Sequence, residues 1–335
     1  MGLGSDPRPR PWADQHAVTP LVAVIGEALV DLVPNGPDGG YRASPGGSPF
    51  NVAVGLARLG NRTSLLARFA HDRYGRMLRA AATAERIDLA AAAQASERTT
   101  LAIASMDETG SVAYDFDADG TADWQWTAAE LSRLRPDTEV LHFGSIASWT
   151  PPGSERIAER VVETRACGGV LISYDPNVRP VLLGARGRAV ELVERSVRYA
   201  HVVKASREDL EWLYPDLAAD DVGARWRGLG PGVVVVTDGA HGASAYRETR
   251  PPLHRPGRRV AVVDTIGAGD AFTAGLLTGL MRRRLGAGCL AEVSDETLAR
   301  IIDDAVLISA VTCARAGADP PRLEELQPRL DWSKL

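Results

Sequence analysis

Asp264-Thr-Ile-Gly-Ala-Gly-Asp-Ala-Phe-Thr-Ala-Gly275 joins a β-branched run to a helix-forming run. Upstream, Val260-Ala-Val-Val263 predicts a strand; downstream, apolar spacing predicts an amphipathic helix from Ala271 to Arg284. Gly267, Ala268 and Gly269 therefore fall at a helix N-terminus. The first N–H groups there lack intrahelical partners, and the dipole favours an anion. Glycine lets the backbone approach a phosphate closely. Asp270 follows in the first turn, where a carboxylate beside a bound phosphate can accept the proton of an attacking hydroxyl. An acidic first turn after a Gly-rich connection is also ordinary α/β architecture, so spacing alone leaves both readings open.

Outward from this stretch, strand and helix patterns alternate. Leu21-Val-Ala-Val-Ile-Gly26 reads as a parallel strand buried on both faces, as do Val140–Gly144, Gly169–Tyr174, His201–Lys204 and Gly232–Thr237. Thr63–Phe69 reads as another strand. Helices are expected at Phe50–Leu59, ending at the C-cap Gly60, and at Arg76–Arg86, Ser154–Ala166, Arg188–Val197 and Arg207–Leu213. Repeated βα units imply a three-layer α/β/α, Rossmann-like sheet. Gly26–Arg42 and Thr99–Phe116 break the rhythm as strand pairs without helices, the second turning at Asp107–Gly110. They are expected to form a small lid, with strands from about 31–42 and 99–116 on one domain spanning 21–330. Residues 1–20 read as a mobile tail with no secretory h-region.

Composition removes other chemistries. The net charge is −5, so no basic surface advertises nucleic acid. No apolar run is long enough to span a membrane. Lys204 and Lys334 are the only lysines, and neither follows a glycine, which excludes a P-loop. Cys167, Cys289 and Cys313 are scattered, and the six histidines form no zinc pattern, so reduced thiols in the cytoplasm are expected. No Gly-x-Gly-x-x-Gly follows the first strand, which argues against a dinucleotide oxidoreductase.

The stretch from Asp264 to Leu277 resembles the C-terminal signature of the PfkB, or ribokinase-like, carbohydrate kinases. Gly46-Gly-Ser-Pro-Phe-Asn51-Val-Ala53 with Gly60 resembles the N-terminal signature, although Ala70 and His71 depart from its usual glycines. Gly26-Glu-Ala-Leu-Val-Asp31, Tyr174-Asp-Pro-Asn177-Val-Arg179, Ser206-Arg-Glu-Asp209 and Thr237-Asp-Gly-Ala-His-Gly242 extend the likeness from about Val22 to Pro321. Gly46–Asn51, Leu141–Ser145 and Thr312–Gly317 are most similar to bacterial fructokinases.

The resemblance implies a ribokinase-like fold and ATP-dependent phosphorylation of a sugar hydroxyl. Asp270 would be the base, with Gly267, Ala268 and Gly269 holding developing charge. Asp31, Gly46, Gly47 and Asn51 would bind the sugar. Asn177, Lys204, Asp209, Thr237, Gly239 and Gly242 would face the nucleotide, with adenine near Asp303–Cys313. Asp209 would act on Mg²⁺ through water. Backbone carbonyls at Asp264, Ile266, Thr312, Arg315 and Gly317 would hold K⁺, with Pro321 near where some relatives place a serine. A homodimer paired through the lid is implied.

The likeness implies D-fructose as the substrate. Some related kinases have an Arg near Gly120–Ala122, where this chain has the acidic Asp115–Asp119 stretch. That stretch would repel an anionic sugar, so a neutral one fits better. Kinases of ribose, adenosine or 2-keto-3-deoxygluconate, and a catalytically silent sugar-binding protein, are the alternatives. Residue by residue, blander readings stay open. Asp31 could be a solvated strand end, Gly46-Gly47 a turn, Asn51 a helix N-cap, Asp175–Asn177 turn chemistry and Asp209 a surface carboxylate. His142 reads as packing. Trp124, Trp126 and Trp149 read either as sugar-stacking or as core residues.

Overall fold

The computed structural model describes residues 20–35, 40–106, 112–248, 250–326 and 330. Three strands, β1 (Leu21–Ile25), β2 (Leu29–Pro34) and β3 (Tyr41–Gly46), precede α1 (Ser48–Arg58). Next come β4 (Arg62–Leu66), β5 (Arg68–Ala70), α2 (Arg73–Ala84), β6 (Ala93–Ala95), β7 (Leu101–Met106), β8 (Val112–Asp117) and the one-turn α3 (Ala128–Leu131). Strand and helix then alternate through β9 (Thr138–Gly144), α4 (Gly153–Cys167), β10 (Leu171–Asp175), α5 (Pro180–Leu183), α6 (Arg186–Tyr199), β11 (Val202–Ser206), α7 (Arg207–Leu213), α8 (Ala219–Arg227) and β12 (Val233–Thr237). β13 (Ala243–Tyr246) and β14 (Leu253–Arg255) lead to α9 (Ala268–Arg282), α10 (Asp295–Cys313) and α11 (Leu323–Leu326).

The main sheet runs β14-β13-β12-β11-β10-β9-β1-β4. Pairings from β4 to β12 are parallel; β13 and β14 add an antiparallel edge. Helices cover both faces, which is why the strands are continuously apolar. In β1, Val22 and Val24 pack with Phe50 of α1, Leu276 of α9 and Ile301 of α10. Ala23 and Ile25 face the other layer, with Ile157 of α4, Val193 of α6 and Val222 of α8. Each fully buried Val, Leu or Ile contributes about 1.5–3 kcal/mol. A charge at Val234, wholly buried in β12, would break this layer most directly. Among the described residues no helix is long and apolar enough to cross a membrane.

From β1 the chain moves to β4 on one side, then to β9 on the other. Open α/β sheets place ligands beyond the strand C-termini at such a reversal. Glu27 follows β1 there, and Ser145 follows β9.

β3-β2-β7-β8 form a separate four-stranded sheet. Its strands include those read as a lid, but the first pair is longer than read. β2 starts at Leu29, and β3 runs to Gly46, so the lid feeds straight into α1. The expected turn at 107–110 and the tail before Pro20 lie outside the described residues. Thr63–Phe69 divides, because β5 leaves the main sheet to pair with β6.

One strand is absent. Val260–Val263 is irregular, with Val262 and Val263 each 63% exposed. No described strand pairs with this run; β14, paired with β13, stays the edge of the sheet. The Val263 and Asp264 N–H groups instead donate to the Cys313 carbonyl, at 2.8 and 3.2 Å.

Candidate active site

α9 begins at the N-cap Gly267, whose φ of 74° lies in the left-handed region. A Cβ there would sit 2.6 Å from Ala318 Cβ, so the turn needs glycine on both counts. A Cβ on Gly269 would lie 2.9 Å from Lys204 Nζ. The helix start is thus a bare backbone cradle with a buried ammonium against it. Ala268 spends its N–H on the Thr265 carbonyl at 3.2 Å, which leaves the following first-turn amides for an anion.

Asp270 is held from two sides. Ser48 Oγ donates to its Oδ1 at 2.6 Å, and Asn51 Nδ2 donates to its Oδ2 at 2.9 Å. Burial raises its pKa; Ser48, Asn51 and the Lys204 charge pull the other way without cancelling that rise. A fixed carboxylate with a raised pKa suits proton abstraction. Asn51 is not the N-cap of α1. Gly47 occupies that place, and Asn51 lies inside the helix, aimed at Asp270.

Lys204 joins this helix start to the next strand ends. Its Nζ pairs with Asp175 Oδ2 at 2.9 Å, both side chains being buried. Thr273 of α9 donates to the same oxygen at 3.3 Å. Burial alone would push Lys204 down, but Asp175, Asp209 and Asp270 outweigh it and raise its pKa. Asp209 is not a surface carboxylate. It is buried, accepting from the Val178 N–H at Oδ1 and the Ser206 N–H at Oδ2, each at 2.8 Å. Both oxygens therefore have backbone donors, and its visible work is to pin the turn after β10. Among the described residues no three acidic, histidine or cysteine side chains converge on a metal position. A magnesium ion here would depend on phosphate oxygens and water.

A cavity of about 330 Å³ opens beside Asp270. Asp31, Gly47, Asn51, Gly267 and Gly269 line it, which unites the expected sugar residues with the anion cradle. Asp31 is raised to about 6 by burial, then by the charge on Asp270, with Arg179 opposing. Gly46 makes room for Asp31, because a Cβ on it would fall 2.0 Å from Asp31 Oδ2. Asn177, expected beside the nucleotide, lines the same cavity. Its Oδ1 accepts from Arg179 at 3.0 Å and its Nδ2 donates to Ser145 Oγ at 3.2 Å.

Thr237, Gly239 and Gly242 lie at the β12–β13 turn and are not among the residues described as lining this cavity. Asp303, expected near adenine, is held in a two-pronged pair with Arg255 at 2.7 and 2.6 Å.

The two candidate cation segments do meet. Asp264 accepts from the Ile266 N–H at 3.0 Å and from the Gly317 N–H at 2.8 Å. Arg315 donates its backbone N–H to Thr312, while the Gly317 carbonyl already accepts from Asp319 at 2.8 Å. Pro321 is buried.

Several expectations change at this site. Asp115 is exposed and Asp117 pairs with Arg98, because β8 alternates. Tyr114 and Phe116 of that strand face the cavity instead. The acidic stretch therefore cannot be what repels an anionic sugar. Trp124, Trp126 and Trp149 belong to the core. His142 packs as expected: it is buried against Ser173, and burial pushes it down to about 3. Glu27, Ser48, Ser145, Arg179, Tyr114 and Phe116 carried no predicted site role. Glu27, Ser48, Ser145 and Arg179 lie inside motifs quoted for the family likeness without having been given a role, and the period-two pattern of β8 could have flagged Tyr114 and Phe116.

The model of the pfkB family carbohydrate kinase matches residues 19–325. The chain belongs to the pfkB family of carbohydrate kinases. It is 35% identical over 263 residues to a fructokinase of Rhizobium leguminosarum bv. trifolii, covering 78% of this chain and 79% of the relative. A fructokinase double mutant from Vibrio cholerae O395, in fructose, ADP and potassium ion bound form, superposes with a TM-score of 0.80. It is 28% identical, over 93% of this chain and 99% of the other. A fructokinase from Xylella fastidiosa with bound ATP has a TM-score of 0.85 at 24% identity, over 95% and 100% of the two chains, and shows the shared fold. The mostly parallel sheet with helices on both faces is the fold of this kinase family.

Proposed function

We propose that this kinase transfers the γ-phosphoryl group of ATP to a hydroxyl of D-fructose, with Asp270 as the general base. The observation that carries the reading is Asp270 itself, buried at a glycine-built helix start and oriented by Ser48 and Asn51. The sugar hydroxyl oxygen attacks the γ-phosphorus, its proton passes to Asp270, and the bond to the β–γ bridging oxygen breaks to release ADP. The first-turn amides of α9 and the Lys204 ammonium stabilise charge on the transferred group. Bound Mg²⁺ would neutralise phosphate oxygens, with Asp209 acting at a distance through the turn it pins. A neutral sugar is supported by the carboxylates at the cavity, Asp31 and Glu27, and by the fructokinase relatives.

The same reading includes a cytoplasmic homodimer. Three free cysteines support a reducing compartment, and the lid, with Tyr41 55% exposed, offers a surface for pairing. Light scattering checks the dimer.

The test of mechanism is Asp270→Asn. Turnover of D-fructose should fall by about 10²–10⁴-fold, the usual worth of a general base. ATP affinity by calorimetry should be kept. A variant retaining more than about a tenth of the rate removes Asp270 from this role.

A further inference from the structure

Glu27 lines the cavity but takes no part in the transfer step. It is 1% exposed and follows β1. Its Oε2 accepts from the Ala147 N–H at 3.1 Å. Its Oε1 is buried with no hydrogen-bond partner among the described residues. A buried carboxylate oxygen without a donor is costly, and native folds rarely leave one without reason.

The surroundings do not remove that cost. Burial dominates and raises Glu27 to about 7; the nearby Ser145 hydroxyl, the Ala147 N–H and the Arg179 charge only moderate it. Asp123, just beyond, accepts from the Ala28 N–H at 2.9 Å and is itself raised to about 7 by burial. Glu27 thus faces a second buried carboxyl as well as Arg179. The backbone has been cleared for it too. A Cβ on Gly47 would sit 2.8 Å from the Glu27 carbonyl and 3.2 Å from its Cγ, at a φ of 98°. Gly46 clears Asp31 in the same way. The twin glycines therefore admit two carboxylate side chains to one cavity.

We propose that Glu27 is a sugar-specificity residue whose Oε1 accepts a hydrogen bond from a hydroxyl of the bound monosaccharide other than the one phosphorylated. Asp270 is fixed by Ser48 and Asn51 of α1, whereas Glu27 is fixed by the loop after β9, so the two carboxylates belong to different frames. A hydroxyl supplies the donor that Oε1 lacks. A phosphate or carboxylate at that point would bring a further anion beside Glu27 and Asp31, whose pKa values burial already raises, whereas a neutral hydroxyl would not. This deepens the sugar-kinase reading and rests on it.

The test compares Glu27→Gln with wild type on D-fructose and a series of monodeoxy analogues. KM for fructose should rise about tenfold or more, as for a lost hydrogen bond to a charged group, with a smaller change in kcat. One analogue, lacking the hydroxyl held by Glu27, should show the same KM with both enzymes. A KM ratio equal for every analogue, or a loss in kcat alone, overturns the proposal and leaves Glu27 only holding the Ser145–Ala147 turn. If Glu27→Gln shows no cooperative melt, Glu27→Asp runs the same series, and again one analogue should be insensitive. Failure of both to fold overturns the proposal. A wild type inactive on every neutral sugar sinks the kinase reading and this inference together; an active wild type with uniform ratios sinks this inference alone.

Discussion

Two walls of one cavity differ in how they are built. The first is the start of α9, where consecutive residues from Gly267 to Asp270 supply the cradle and the base. The second gathers Glu27 after β1, Ser145 after β9 and Asn177 and Arg179 after β10. It also holds strain. Ser145 and Asn177 are non-glycine residues with φ of 55° and 38°. Such backbone persists where its surroundings over-determine it, as Asp209, Asp175 and Ala147 do here. The contrast suggests a division of labour, with reaction chemistry on a local wall and sugar recognition on an assembled one.

Lys204 ties the walls together, since it lies against Gly269 and pairs with Asp175. Lys204→Met should therefore break both. It should lower kcat about 10²-fold or more by removing a charge aimed at the transferred group. It should also destabilise the fold by about 3–5 kcal/mol by leaving Asp175 buried and unpaired. Paired kinetic and chemical-unfolding measurements check this, and a normal kcat in a destabilised variant would make Lys204 purely structural.

Ser48→Ala touches the first wall alone. The Ser48 hydroxyl lowers the Asp270 pKa, so its loss should raise that pKa further. Asp270 acts deprotonated, so the acid limb of the kcat–pH profile should move to higher pH. The rate should fall about tenfold below the limb and recover well above it. A limb that stays in place would detach Ser48 from the base.

The smallest effect concerns the loops behind the first wall. Asp264 ties Ile266 to Gly317, yet the Gly317 carbonyl is already engaged by Asp319. A cation held by the remaining carbonyls would bind weakly and act by steadying the helix start. KCl should then raise kcat by roughly twofold to fivefold, against a ceiling of about 1 kcal/mol. An organic-cation salt at equal ionic strength should not, and equal responses would remove the site.

Legibility in the sequence followed the same divide. The sheet was readable because strands such as β1 and β12 are continuous apolar runs. Arg207–Leu213 matches its helix residue for residue, helped by the Ser206 and Asp209 capping box. Gly267–Asp270 was readable because its chemistry lies in adjacent residues. Val260–Val263 misled, since a β-branched run becomes a strand only where its backbone pairs, and here the Val263 N–H goes to the Cys313 carbonyl instead. The tryptophans could be read either way, because aromatic rings serve cores and sugars alike, and the structure places them in the core. Glu27 and Ser145 lie in quoted stretches, but their meeting could not be read, because only folding brings the ends of β1 and β9 together. The acidic stretch on β8 failed for a geometric reason: alternate residues face opposite sides, so Tyr114 and Phe116, not Asp115, meet the cavity.

The most direct measurement is ADP formation by the wild-type enzyme with D-fructose, fructose 6-phosphate, 2-keto-3-deoxygluconate, ribose and adenosine, each with Mg-ATP. The account predicts the highest kcat/KM for D-fructose, with the two anionic sugars far behind. A higher kcat/KM on either anionic sugar, or ADP formation that no neutral sugar accelerates, would contradict it.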